Sequence, residues 1–389
     1  MSTVDAGFIP LVDAAALIVA REMGFATEEG IDLALHRAPS WSSIRDGLAT
    51  GRLAVAHMLA PVPVAMAMGL GGLSVPLEAP MVLSVNGTVV GVTPRLAARL
   101  RDRGALGDFM DARTVGEALI AVAEPPLKVG VPFPFSMHAE LLYYWLGSLG
   151  MRAPQEMQVR TVPPPLMADA MAAGEIDAFC VGEPWGSMAV ERGIGEIVLP
   201  GCAIWRFAPE KVLAVRRASG GDEAAILRRL MVALWRAGHW LADPGHQMTA
   251  AEILSRAEYL NLPAEVIERS FAGRLVVNGS GQEQSAPRFI AFHAAAAQFP
   301  WRSQAAWIAG NIAARIGLDR AEAAGAARAC FRPDVFRATL GPVGADLPGA
   351  SEKLEGALDR PTPVASSRGR LFLGADRFFD GRIFDPSLG

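Results

Sequence analysis

Short apolar runs suited to strands alternate with longer runs of helical periodicity through the first ninety residues, and again up to residue 216. Such βαβα alternation predicts a largely parallel sheet with helices on both faces. In the first block, Phe8–Val12, Ile31–Leu35, Ala54–Leu59 and Val82–Val92 read as strands. Between them, Asp13 can cap a helix reaching Met23, Ser40 can cap one over Trp41–Ala49, and Pro63–Met68 is a third. In the second block, Leu127–Val131, Gln158–Val162, Ile176–Val181 and Val212–Arg216 read as strands, and Ser136–Leu149 and Leu166–Ala173 as helices. After residue 220 the pattern turns helical, over 224–241, 248–260, 264–271 and 302–316.

Two alternating blocks joined by strands near 82–92 and 211–216 predict an α/β, bilobed clamshell. Residues 1–90 plus 211–340 are expected to form lobe 1, and 91–210 lobe 2. The tail, 341–389, carries enough Phe to pack back on the body. Ligands of open α/β sheets bind where strand ends, loops and helix N-termini converge. In a clamshell two such edges face each other, and hinge closure sequesters the ligand.

The chain of 389 residues is 51 % apolar, enough for a sizeable core, and carries a net charge of −4. No basic footprint for direct nucleic-acid binding is present. The most apolar region, Leu53–Val85, is interrupted by His57, Pro61, Pro63, Pro76, Glu78 and Pro80, so no membrane span is expected. Cys180, Cys202 and Cys330 match no zinc spacing and read as buried apolar residues in a reducing compartment. The six histidines have no metal-ligand spacing, and no nucleophile elbow, P-loop or dinucleotide fingerprint occurs. No cofactor, metal or enzymatic activity is expected.

Several places can hold an anion. Trp41 follows the cap Ser40 and offers an indole N–H, or else simply braces the helix. Asn86-Gly87-Thr88 interrupts an apolar strand, as a tight turn or as a crossing that brings polar groups to the cleft. His138 lies in the first turn of a helix, where backbone N–H groups are free. Gly182, before Glu183-Pro184-Trp185, lets a backbone approach a ligand; Glu183 beside an anion would need a cationic neighbour. Lys211 is one of only 3 lysines against 33 arginines, and a compact ammonium suits a small anion.

Taken together, Gly7-Phe8-Ile9-Pro10-Leu11-Val12-Asp13-Ala14, Ser40-Trp41-Ser42-Ser43-Ile44-Arg45-Asp46, Ala56-His57-Met58-Leu59-Ala60-Pro61, Val181-Gly182-Glu183-Pro184-Trp185, Pro209-Glu210-Lys211-Val212 and the tail Phe378–Pro386 resemble the nitrate-binding proteins of ABC importers. The resemblance runs in order along nearly the whole chain. It implies a type II periplasmic-binding-protein fold and a nitrate or nitrite site of Trp41, Thr88, His138, Gly182 and Lys211. Relatives commonly have Asn-Gly-Gln where this chain has Asn86-Gly87-Thr88, so Thr88 is the departure within that set. Bicarbonate-binding relatives differ at the Lys position, so the resemblance implies that Lys211 favours an oxyanion of nitrogen.

The opening residues carry neither a basic n-region nor a lipid-anchor cysteine. In this respect the chain resembles the cytoplasmic nitrate/nitrite sensor of the NasS type. That resemblance implies a partner, an RNA-binding antiterminator of the NasT type, released when the anion binds. Anion and partner then weaken each other's binding by the same factor. The alternatives are the substrate-binding receptor of an ABC nitrate importer and an enzyme of the same fold, similar to thiamine-precursor synthases or a desulfinase, with Cys180 as its reactive group.

Overall fold

Two sheets carry the fold of this computed structural model, which describes residues 1–72, 75–217 and 220–388. The strands are β1 (Ser2–Phe8), β2 (Ile31–Arg37), β3 (Val55–Leu59), β4 (Leu77–Asn86), β5 (Thr88–Val92), β6 (Leu127–Val131), β7 (Met157–Thr161), β8 (Ala178–Gly182), β9 (Glu196–Pro200) and β10 (Pro209–Arg216). In the first sheet the order is β4-β10-β3-β1-β2, with the short strand Ile290–Ala291 outside β4. The second sheet has the order β7-β6-β8-β5-β9. Pairing is parallel within β3-β1-β2 and within β7-β6-β8, while β4, β10, β5 and β9 run antiparallel to their neighbours. This is the bilobed α/β arrangement of the periplasmic-binding-protein type.

The chain leaves the first sheet at Gly87 and returns through residues 201–208 into β10. Asn86 and Gly87 have φ of 60° and 95°, a left-handed kink that glycine adopts without cost. That kink divides the expected Val82–Val92 strand into β4 and β5. The Asn86 side chain ties the two crossings together. Its Nδ2–H donates to the Arg206 carbonyl at 2.9 Å and its Oδ1 accepts from Ala208 N–H at 3.0 Å. Asn86 is therefore spent on holding the hinge, and its amide offers nothing to the cleft.

The strand expected at Phe8–Val12 lies earlier. β1 ends at Phe8, and the chain continues through Pro10 into a 3₁₀ turn, Val12–Ala14, before the helix Ala15–Glu22. Asp13 makes no cap hydrogen bond there. The helix Trp41–Ala49 starts as expected, with the Ser43 N–H donating to Ser40 Oγ at 3.2 Å. The helix Met137–Ser148 is capped in the same way by Ser136, with Ala139 N–H as donor at 3.2 Å. Two further helices, Arg320–Cys330 and Pro333–Leu340, lie where the sequence reading placed none.

The tail covers the joint between the sheets. Phe378 is buried and stacks on Trp205 at 4.8 Å and Trp307 at 5.6 Å. Lys353 holds both Glu355 and Asp376 at 2.5 Å, fixing the tail to itself. Facing edges of the two sheets also meet directly. Val12 N–H donates to the Glu183 carbonyl at 2.9 Å, and the Trp185 indole donates to the Pro10 carbonyl at 2.8 Å. On the flank, Arg315 makes a bidentate bond to the buried Glu140 at 2.8 and 2.6 Å. These contacts close the clamshell. Among the described residues, no helix is long and apolar enough to cross a membrane.

Candidate functional site

Where the two sheet edges meet, a cluster of ionisable groups is shut away from solvent. Lys211, in β10, is fully buried, an expensive place for a charge unless it is paired. Its Nζ donates to Asp13 Oδ2 at 2.6 Å and to Glu210 Oε1 at 2.7 Å. Consecutive strand residues normally point to opposite faces. Here the register of β10 against β4 shifts on both sides of Lys211, and the bulge brings Glu210 and Lys211 to one site. His57, from β3, donates from Nε2 to the other oxygen of Asp13 at 2.8 Å.

Aromatic and backbone surfaces complete the enclosure. The Trp41 ring lies 5.5 Å from the His57 ring and 5.5 Å from Lys211 Nζ. From the second sheet, a Cβ on Gly182 would sit 3.1 Å from Leu11 Cδ2, 3.6 Å from Asp13 Oδ2 and 3.8 Å from His138 Nε2. His138 Nδ1 is 3.3 Å from Glu210 Oε1, without hydrogen-bond geometry. The structure thus brings Trp41, His138, Gly182 and Lys211 together, from both sheets. Thr88 pairs with Gly182 across β5 and β8, and its hydroxyl lies against Gly201.

Burial and pairing set the protonation of this cluster. Burial alone would raise Asp13, but Lys211 and His57 outweigh it and hold the carboxyl at about 2. Burial likewise works against the Lys211 ammonium, and Asp13 and Glu210 more than offset it. Burial pushes Glu210 up to about 7, against the pull of Lys211. Burial, then the Lys211 charge, holds His138 well below the ordinary histidine range, and burial also lowers His57. At neutral pH the site is an ammonium, a carboxylate, two neutral imidazoles and a carboxyl near its midpoint.

Several polar atoms here have no partner among the described residues. Trp41 Nε1, His57 Nδ1, Thr88 Oγ1, both ring nitrogens of His138 and Glu210 Oε2 are buried without a hydrogen bond. An orphaned buried donor or acceptor costs about 1–3 kcal/mol, and native folds leave few of them. Six such atoms at one seam mark a place built for something small and polar. A cavity of about 1030 Å³ lies elsewhere, between the Met137–Ser148 and Arg302–Ile316 helices and the tail.

Of two residues flanking the site, Glu183 departs from the sequence reading and Cys180 is buried as that reading has it. Among the described residues Glu183 has no cationic neighbour in bonding contact; its carboxylate accepts from Ser187 N–H at 3.2 and 3.3 Å and turns into its own helix. Cys180 is buried, and burial, then Glu210, raises its thiol far above neutral pH. A thiolate nucleophile is therefore disfavoured there. The sequence reading missed Asp13, His57 and Glu210. The available signals were a histidine inside the apolar strand Val55–Leu59 and two acids beside the rare lysine and the Pro10 turn.

The chain matches the NMT1-like family over residues 1–255. It is 30 % identical over 398 aligned residues to the nitrate/nitrite binding protein NrtA of Synechocystis, covering 99 % of this chain and 83 % of that one. The crystal structure of the periplasmic nitrate-binding protein NrtA from Synechocystis PCC 6803 superposes with a TM-score of 0.84 at 26 % identity, over 100 % of this chain and 96 % of the other. The chain belongs to the nitrate/nitrite-binding protein family of ABC importers. It is also 32 % identical, over 79 % of its length, to the nitrate import ATP-binding protein NrtC of Synechocystis, of which it spans only 45 %. The family is one of ligand-binding transport proteins, not of enzymes.

These relatives correct two expectations. A cytoplasmic location and a sensor holding an antiterminator of the NasT type do not stand, because the relative that superposes along the whole chain is a periplasmic binding protein. Both expectations rested on the opening residues. A leader makes no part of a folded body, so the opening residues weigh less than a likeness that runs the whole chain.

Proposed function

We propose that this protein is the extracytoplasmic receptor of an ABC importer and that it binds nitrate or nitrite at the Lys211 site. In this reading residues 1–90 with 211–340 and residues 91–210 are the two jaws, and the tail beyond 341 braces the hinge. The observation that carries it is the set of orphaned polar atoms around a fully buried ammonium. A planar anion with acceptor oxygens only is the complement of the donors among them, Trp41 Nε1, the Thr88 hydroxyl and the one N–H of a neutral His138. Lys211 supplies the charge, and Trp41 Nε1 and a neutral His138 supply directed N–H groups. Gly182 keeps the second jaw close, and Thr88 borders the site. Asp13 and His57 orient the ammonium without facing the anion themselves.

The likeness to NrtA in sequence and fold, along the whole chain, supports the same reading. Lys211→Ala tests the site. Calorimetric titration with nitrate is expected to show at least a tenfold loss of affinity, about 1.4 kcal/mol. An unchanged affinity would remove Lys211 from the site.

A further inference from the structure

Lys211 carries one positive charge but touches two carboxyl groups, at 2.6 and 2.7 Å. With Asp13 and Glu210 both ionised the cluster is already negative before any anion arrives. Adding a monoanion within a few ångströms would then place three negative charges against one ammonium, in a seam from which water is excluded. Like charges at such distances, in an environment of low dielectric, are strongly unfavourable.

One proton removes the conflict, and the groups facing Glu210 show where it goes. Asp13, from the Val12–Ala14 turn, has one oxygen on Lys211 and the other on His57. His57, from β3, is lowered by burial and already spends its Nε2 on Asp13. Cys180, from β8, is held as a thiol. His138, from its helix, is kept from protonation by burial and then by the Lys211 charge. Glu210 has a fully buried Oε2 with no partner.

Resting on the nitrate reading above, we propose that the anion binds together with one proton, and that Glu210 is the residue that takes it. The proton comes from solvent and adds to Glu210; hydrogen bonds rearrange and no covalent bond of the ligand changes. A neutral Glu210 loosens its hold on Lys211 Nζ, so that this ammonium turns to the anion, and Oε2–H becomes a donor. Glu210 is thus a positioning and selectivity residue: it admits an acceptor-only monoanion in place of its own charge. Its position near 7 puts the exchange within reach of neutral solution.

The sign follows from linkage. Protonation of Glu210 favours binding, so affinity falls as pH rises above its midpoint, approaching about tenfold per pH unit for one coupled proton. The test is a pH-stat measurement on the full chain, with sodium nitrate added to weakly buffered protein. At pH 8 more than half a proton per bound nitrate is expected to leave solution, declining towards zero at pH 5. Glu210→Gln is expected to bind nitrate without this uptake and without the fall in affinity above pH 7. Nitrate binding at pH 8 with no proton uptake by the wild type overturns the proposal and leaves the nitrate reading standing, even if the variant fails to fold. Uptake that persists in Glu210→Gln overturns the assignment to Glu210. Absence of nitrate binding at every pH overturns both readings.

Discussion

Replacing Lys211 with Met keeps most of the length of the side chain and removes its ammonium, leaving Asp13 and Glu210 buried without their shared counter-ion and donor. Breaking a buried pair by removing one partner typically costs about 3–5 kcal/mol. How that cost varies with pH follows from the two acids. In the wild type Asp13 sits at about 2, below its ordinary 3.8. It therefore contributes about 2 kcal/mol of stability above pH 4, lost as pH falls through 2. Glu210 is raised to about 7 from 4.5, so it opposes folding increasingly as pH climbs from 4.5 through 7, by about 3 kcal/mol in all. Without Lys211 both acids are raised, and both then oppose folding as pH rises. Urea unfolding of ligand-free protein between pH 4.5 and 8.5 should show a penalty of about 2 kcal/mol for Lys211→Met at the acid end, where the Asp13 contribution is lost but the carboxyls take protons. The penalty should grow to at least about 4 kcal/mol at pH 8. Profiles that run parallel, or a variant within about 1 kcal/mol of the wild type at pH 8, would refute the charge assignment.

Two other substitutions separate the jaws from the site. Gly182→Ala places a methyl 3.6 Å from Asp13 Oδ2 and 3.8 Å from His138 Nε2, so the fold accommodates it with a small shift of Leu11. Nitrate affinity by calorimetry should fall about tenfold or more, with the melting temperature within a few degrees of wild type; an unaltered affinity would place the anion away from β8. Glu140→Ala strands Arg315 between the jaws and should cost about 2–4 kcal/mol in urea unfolding. A double variant with Arg315→Ala should recover part of that loss, which a cycle of the four proteins would measure.

Much of the fold was legible because periodicity and caps report on local backbone. The Trp41–Ala49 and Arg302–Ile316 helices and the Leu127–Val131 strand fall where their patterns place them. The Arg320–Cys330 helix was not legible: its apolar residues are mostly alanines, which give little contrast between faces. The apolar run Phe8–Val12 looked like a strand, yet Pro10 lacks the N–H a ladder needs, and the chain turns out of the sheet there. That turn aims Asp13 at Lys211, 198 residues away. No local pattern encodes such a pairing, nor the register shift that turns Glu210 and Lys211 to the same side. Trp41, His138, Gly182 and Lys211 were found as isolated candidates and through resemblance; the acids that govern their charge emerge only when the two sheets face each other.

The central claim is that the closed seam around Lys211 holds one planar nitrogen oxyanion. Calorimetric titration of ligand-free protein at pH 7 with nitrate, nitrite and sulfate tests it directly. The account predicts one nitrate per chain, nitrite competing for the same site, and no measurable heat from sulfate. Sulfate brings two charges to a site whose one ammonium already has two carboxyl partners. Absence of nitrate binding, or sulfate binding as tightly as nitrate, would contradict it.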